Sequence, residues 1–403
     1  MVSLLNDKTK KRLPKGPWGL PLVGYLPFLG KFPHFTLWKL SEKYGNIYTL
    51  PVGMQNIVIL NDWNSIKDSL KKDSFLGLVD ENSLSWREER RVYENLFKTS
   101  FDSSIIYKNM LIEMRCLLIY LRKTNQNPLQ LRVNFSKSEC KTHYKTLRNE
   151  SSVRDLIDGY LVELKGKKAH SVPTTMSIEK LRANCQVFLS FGTEAFLSCL
   201  EWSLISIAYY PGHQKMISEE VERVMGGQRI PEFKDALRMP FTVAFLNEVL
   251  RWKTVLPFNF IRRAIEDASI LGCFIPKDTL VLCNIWAVHH DPTIWPDPFR
   301  FDPTRFLSDD QKSLIEYPEG FMPFSLGKRS CVAEPFVRKL LFLYIVSIVQ
   351  KFSLSTLNGE EIFDEEYNTT VRPKSQVNLV FKLKHPPPPP PPDECLSGST
   401  HPT

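Results

Sequence analysis

The sequence lacks the ~18 or more consecutive apolar residues that a membrane-spanning helix needs; its longest apolar candidate, Leu340 to Val349, is roughly half that. The basic residues Lys8, Lys10, Lys11 and Arg12 run into prolines and not into an apolar stretch, which is not the pattern of a secretory signal. No Cys-x-x-Cys pair occurs. The eight cysteines (Cys116, Cys140, Cys185, Cys199, Cys273, Cys283, Cys331, Cys395) are scattered, which argues against a disulfide framework and for a reducing compartment. There is no glycine-rich phosphate loop, so direct nucleotide binding is not expected. Charge of one sign is also scarce: 52 Lys plus Arg against 44 Asp plus Glu leave a net +8, too small an excess to imply nucleic-acid binding. An acidic protein partner or an anionic membrane stays compatible with it.

What is present is an ordinary globular composition, 43% hydrophobic, 12% aromatic and 24% charged over 403 residues, enough to bury a large core. The opening run RLPKGPWGLPLVGYLPFLG reads as a rigid, extended hinge within residues 1–30. Ile47–Val52 and Ile57–Leu60 read as a hairpin. From Val153 to Leu164 apolar residues recur at helical spacing, and Ile178 to Tyr210 reads as a long, nearly all-apolar helix suited to the centre of the molecule. Further helices are expected over Met216–Met225 and Ala244–Trp252 and strands over Ser269–Ile275, Leu280–Cys283 and Val377–Leu383. The fold class is therefore mainly α with small β-sheets (α+β), one domain over residues 1–384. The prolines Pro386 to Pro392 put a polyproline tail at 385–403, outside the fold.

The chemistry concentrates in FSLGKRSCVAEP, where Phe324, Gly327, Arg329 and Cys331 precede an apolar helix. A thiolate at a helix N-terminus is favoured by exposed backbone N–H groups and the positive end of the dipole. Gly327 permits a tight turn over a flat cofactor, Phe324 can shield the sulfur, and Arg329 can pair with an anionic group. A cysteine alone means little, because buried unreactive thiols are common.

The whole string resembles the haem-binding signature of cytochromes P450, and other parts of the chain match that family in order. Glu248 and Arg251 form a Glu-x-x-Arg pair on one helix face; by resemblance they join Arg305 of FDPTRF in a structural ion-pair network. The block containing IRRAIED, GCFIPKDTLV and HHDPTIWPDP is similar throughout, and Arg262 stands where a haem propionate is contacted. Trp86 and Arg90 in SWREERR match a further pair of propionate-contacting residues. The resemblance implies the cytochrome P450 fold, haem b (iron protoporphyrin IX) with Cys331 as axial metal ligand, and insertion of one atom of O2 into a small apolar substrate. It implies electrons from an NADPH-dependent reductase, with cytochrome b5 as a second donor. Arg87, Arg91, Lys328, Arg338 and Lys339 would form a basic docking face. The hinge resembles that of microsomal members, which implies the cytoplasmic face of the endoplasmic reticulum, with peripheral membrane contact.

The central helix departs from the family pattern. Gly192, Thr193 and Glu194 match the expected Gly-x-acid stretch, but Ala195 stands where the proton-relay threonine belongs and Phe191 replaces a small residue. Loss of one relay hydroxyl implies impaired proton delivery, since general acid–base positioning contributes about 10²- to 10⁴-fold. The pocket is expected to be apolar, lined by Phe188, Phe191, Val255, Leu256 and Phe258. Residues 101–152 read as a shortened version of the region that roofs the substrate. Three readings follow: a monooxygenase, a haem-binding but catalytically impaired variant, and an oxygen-independent peroxide isomerase suggested by Ala195 alone.

Overall fold

The computed structural model describes residues 13–77, 83–99, 114, 129–130, 156–226, 229–315, 318–357, 363–374 and 378–384. Almost all of the shortened segment at 101–152 and the whole proline tail lie outside these residues, as does Val153.

Helix α1 (Pro33–Tyr44) leads into an antiparallel hairpin, β1 (Ile47–Val52) and β2 (Gln55–Leu60), with Val52 opposite Gln55. Strand β2 buries Ile57 to Leu60 because it is internal: β7 (Leu280–Cys283) pairs parallel to it, and β4 (Arg262–Arg263) closes the far side of β7. This four-stranded sheet joins early and late parts of the chain. The hinge is not free of regular contacts. It bridges Gly24 to Val52, donates Tyr25 N–H to the Pro51 carbonyl at 2.7 Å, and leaves Trp18 94% and Leu22 77% exposed.

Helix α2 (Trp63–Lys71) starts at Asp62, whose carboxylate accepts from the Asn64 and Ser65 N–H groups, an N-cap on two orphan donors. Helix α3 (Ser83–Thr99) carries Trp86 and Arg90; α4 (Leu156–Ala169) and α5 (Ile178–Val187) pack beside it. A short strand β3 (Leu129–Gln130) pairs with β11 (Asn378–Leu383), itself paired with β8 (Phe352–Thr356).

The expected long central helix divides into unlike halves. After α5 a π turn occupies Phe188–Gly192, and α6 runs Thr193–Tyr209. Within α6 every residue from Ser198 to Ala208 except Glu201 is buried, whereas α5 buries only Leu181. The expectation of a centrally buried helix therefore holds for the carboxyl half alone. The sequence signals it: α5 carries Glu179, Lys180, Arg182 and Asn184, which favour water. Pro211 does end α6, but at once starts α7 (Pro211–Met225), where the missing N–H at N1 costs nothing.

Helix α8 (Pro240–Lys253) and the long α10 (Glu334–Lys351) complete the main core with α6 and α7. The stretch read as one strand over Ser269–Ile275 is instead a hairpin, β5 (Ala268–Ile270) and β6 (Cys273–Ile275). Leu271 and Gly272 both take positive φ between them, the geometry of a tight two-residue turn. Helix α9 (Ile285–His289) and a last hairpin, β9 (Glu365–Tyr367) with β10 (Val371–Pro373), complete the described elements. Among the described residues no helix is long and apolar enough to cross a membrane.

Candidate functional site

Cys331 sits just before α10, on a loop closed by hydrogen bonds from its own N–H to the Phe324 carbonyl (2.8 Å) and from Ser330 N–H to Gly327 (3.0 Å). Gly327 has φ +73°, and a Cβ there would lie 2.1 Å from the Leu70 carbonyl oxygen. Close passage over the end of α2 requires glycine at this position. Cys331 is solvent-exposed, whereas Cys199 and Cys283 are buried with thiols pushed up to about 12. The protein around Cys331 still raises its thiol above the ordinary range by desolvation, against lowering by the Ala333 and Glu334 N–H groups at the helix start. The helix-start N–H groups therefore favour the thiolate without outweighing desolvation by the surrounding protein, and a coordinating metal would favour it further.

Guanidinium groups gather on the same loop. Arg90 donates through Nη1 to the Ser330 carbonyl at 2.5 Å, buried Arg262 donates to the Arg329 carbonyl at 3.2 Å, and Arg329 lies 3.6 Å over the Trp86 ring while donating to Leu76. Arg90 also pairs with Glu94. Phe324 lies beneath the Arg338 guanidinium, 4.8 Å away. Sequence reasoning singled out Trp86, Arg90, Arg262, Phe324 and Arg329 for the cofactor and Arg338 for docking, but not Leu76, Glu94 or Ser330.

Two networks hold this arrangement. In the first, Glu248 and Arg251 are both fully buried and joined by paired bonds of 2.7 and 2.8 Å, and Arg305 approaches Glu248 at 3.5 Å. Burial pushes the Glu248 carboxyl up, against the lowering effect of Arg251. Arg251 also donates to the His289 carbonyl, and His289 spans from Thr254 (Nδ1, 2.8 Å) to the Met322 N–H (Nε2, 3.0 Å). His289 therefore ties the ion pair to the loop before Cys331. It was visible in the sequence only as part of HHDP. In the second network, Glu89 accepts from Tyr160 and Asn184, and Glu88 accepts from Lys167, Thr174 and Thr175, so α3 is fixed against α4 and α5. No motif announced these residues.

The predicted pocket residues have different packing partners. Phe188 packs edge-on against Tyr93 and Phe97; Val255 is buried in the main core; Phe258 meets His34 and Tyr367 beside the β1–β2 sheet; Leu256 is half-buried. Phe191 instead contacts Phe260 at 5.2 Å between ring centroids. Packing partners distant in sequence decide this division. Gly192 is exposed, with nothing within 4 Å of where a Cβ would stand. Thr193 opens α6, Ala195 is half-buried, and Glu194 is held 3.4 Å from Arg372 of β10, which also pairs with Glu366. The expected basic docking face is largely engaged internally. Lys328 and Arg87 pair with Asp73, Arg338 with Glu334, and Lys339 covers the Phe233 ring, leaving Arg91 exposed.

An accessible soft sulfur, Arg329 on the loop that carries it, Arg90 and Arg262 bonded to that loop from α3 and β4, and an aromatic wall form a donor set that fits a dianionic, planar iron cofactor. A family model described as Cytochrome P450 matches residues 14–142 and 87–381. Cytochrome P450 2J3 of Rattus norvegicus is 27% identical over 469 aligned positions, covering 93% of this chain and 92% of that protein. Cytochrome P450 1A1 of Pleuronectes platessa and Cytochrome P450 2J2 of Homo sapiens are each 26% identical, covering 90% of this chain and 89% of each protein. An alignment of 469 positions exceeds the 403 residues available, so this chain reaches nearly the full span of the rat protein with internal gaps. Matched along most of its length as well as at the cysteine loop, the chain belongs to the cytochrome P450 family, monooxygenases whose cofactor is haem b on a cysteine thiolate.

Proposed function

We propose that this chain binds haem through Cys331 and acts as a monooxygenase on a small apolar substrate (a lipid, steroid or xenobiotic), drawing electrons from an NADPH-dependent reductase. The observation that carries the reading is the exposed Cys331 on a loop shared with Arg90, Arg262 and Arg329. Arg90, Arg262, Arg329 and Trp86 would hold the propionate edge, and the Cys331 sulfur would meet the metal. Haem with a thiolate ligand supplies the oxygen-activating chemistry. Glu194 and Thr193 would handle protons from the central helix, with Ala195 withholding the usual hydroxyl. Exposed Arg91 and the partly engaged cations beside it would meet the reductase, with cytochrome b5 as a second donor. The chain would work at the cytoplasmic face of the endoplasmic reticulum: Trp18, Leu22 and Met54 offer exposed apolar side chains to a bilayer surface.

The test is the absorbance spectrum of the haem-loaded, reduced chain under carbon monoxide, beside Cys331→Ala. A thiolate-type band that the substitution abolishes is expected. A folded wild-type chain without that band sinks the assignment. A second reading, a haem-binding but catalytically impaired chain, is favoured by Ala195 together with the Glu194–Arg372 pair. A normal carbon monoxide band with reductant consumed and no product formed would select it.

A further inference from the structure

Between α8, α10 and the 3-10 turn Phe233–Arg238 lies a cavity of about 120 Å³. Leu246, Leu250 and Phe342 are buried and close its inner end, whereas Phe233, Ala236, Arg338 and Lys339 are half-buried and mark the side open to water. Of the described residues that line it, two are cations and none carries a carboxylate. The covering turn is firmly held. Its Asp235 is fully buried and bonded to Arg229 at 2.6 Å, to Arg238 at 3.0 Å and to the Glu232 N–H at 2.8 Å. Arg338 is fixed as well, by Glu334 at 2.8 Å and Asn247 at 2.7 Å, and the Lys339 ammonium stands 4.5 Å from the Phe233 ring centroid. The cavity is therefore a preformed slot with an apolar closed end and a cationic open end. Unfilled space forfeits dispersion contacts along its walls, and a side chain larger than Ala236 would fill it from within.

We propose that this slot binds a small monocyclic aromatic carboxylate, with its ring inward against Leu246, Leu250 and Phe342 and its carboxylate outward toward Lys339 and Arg338. Volume sets the ring count: an apolar cavity of about 150 Å³ takes one benzene molecule, so about 120 Å³ suits a single six-membered ring and not two fused ones. Charge sets the head group. Apolar walls alone would take an uncharged ring equally well, whereas two lining cations at the open side attract an anion that keeps its contact with water. The slot shares Arg338, which lies over Phe324, with the surroundings of the cysteine loop, but the proposal does not rest on the haem reading.

The test titrates benzoate into the full chain, loaded with haem, and follows binding by ligand-observed NMR. A dissociation constant on the order of 1 mM is expected. Benzyl alcohol, the same ring without the charge, should bind about fivefold more weakly, and 2-naphthoate at least about tenfold more weakly. Ala236→Phe should fill the slot and weaken benzoate at least about tenfold, and Lys339→Met should weaken it about fivefold. Circular dichroism checks both variants, and Lys339→Met decides alone if Ala236→Phe fails to fold. No benzoate binding, equal binding of benzyl alcohol, or benzoate binding undiminished in the folded variants overturns the proposal; the last would place benzoate elsewhere on the chain. A missing carbon monoxide band overturns the haem reading alone, and the same titration of the folded chain without haem then decides this one.

Discussion

The loop before α10 and the π turn before α6 both border Cys331, yet they are held in different ways. The loop is tied by backbone bonds to Phe324 and Gly327, by Arg90 and Arg262 from elsewhere in the fold, and through Met322 to His289 and the buried Glu248–Arg251 pair. The π turn is held mainly by aromatic rings, and Gly192 at its end borders open space. Polar bonds specify distance and direction, as a metal ligand requires; ring packing specifies mainly occupancy.

The largest expected effect breaks the rigid side. Arg251→Ala strands a buried carboxylate and should destabilise the chain by about 3–5 kcal/mol, read by denaturant melting. A loss below about 1 kcal/mol would show that the pair does not carry the loop. Next comes Gly327→Ala, which combines a left-handed backbone with collision on Leu70; a loss of roughly 2 kcal/mol is expected, and Gly30→Ala, also at positive φ but in open space, should cost less.

Acid should weaken the buried aromatic and histidine layer. His34 is lowered to about 4, His290 to about 3 and His289 well below its ordinary value, each by burial. Their folded values lie below the unfolded one, so the neutral rings contribute stability that is complete above pH 6.5 and is lost as pH falls toward 4. The slope reaches on the order of 1.4 kcal/mol per pH unit for each histidine. Glu88 and Asp235, held at about 2 in spite of burial by their Lys167 and Arg229 partners, add their loss only below about pH 4.5. Glu248, raised by burial, works in the opposite sense. Thermal melts at pH 7 and pH 5 should separate clearly; coincident melts would mean that the histidines are charged in the folded chain. The smallest effect sharpens the other side: Gly192→Ala should stabilise the chain by about 0.5–1 kcal/mol in the same melts. Destabilisation would show that Gly192 serves the chain's own packing.

Much of this was legible in the residues because the constraints are local. The end of α6 follows Pro211, the β1–β2 hairpin follows its alternation, and the cysteine loop is one contiguous string, whereas α2 behind its Asp62 cap and the first turn of α8 at Pro240 went unread. The β5–β6 turn was missed because Leu271 is a poor advertisement for positive φ. The exposed half of the central helix was overread because an apolar average concealed the charges of α5.

By itself the sequence determined the family, the contiguous cysteine loop on which the haem proposal rests, and the pairing of Glu248 with Arg251, since each depends on residue type at short spacing. Only the tertiary structure decided that His289 carries that pair to the loop, that Arg372 holds Glu194, and that Phe191 meets Phe260. Those contacts join segments far apart in the chain, and no local pattern encodes which distant side chain will fill the space beside a given one.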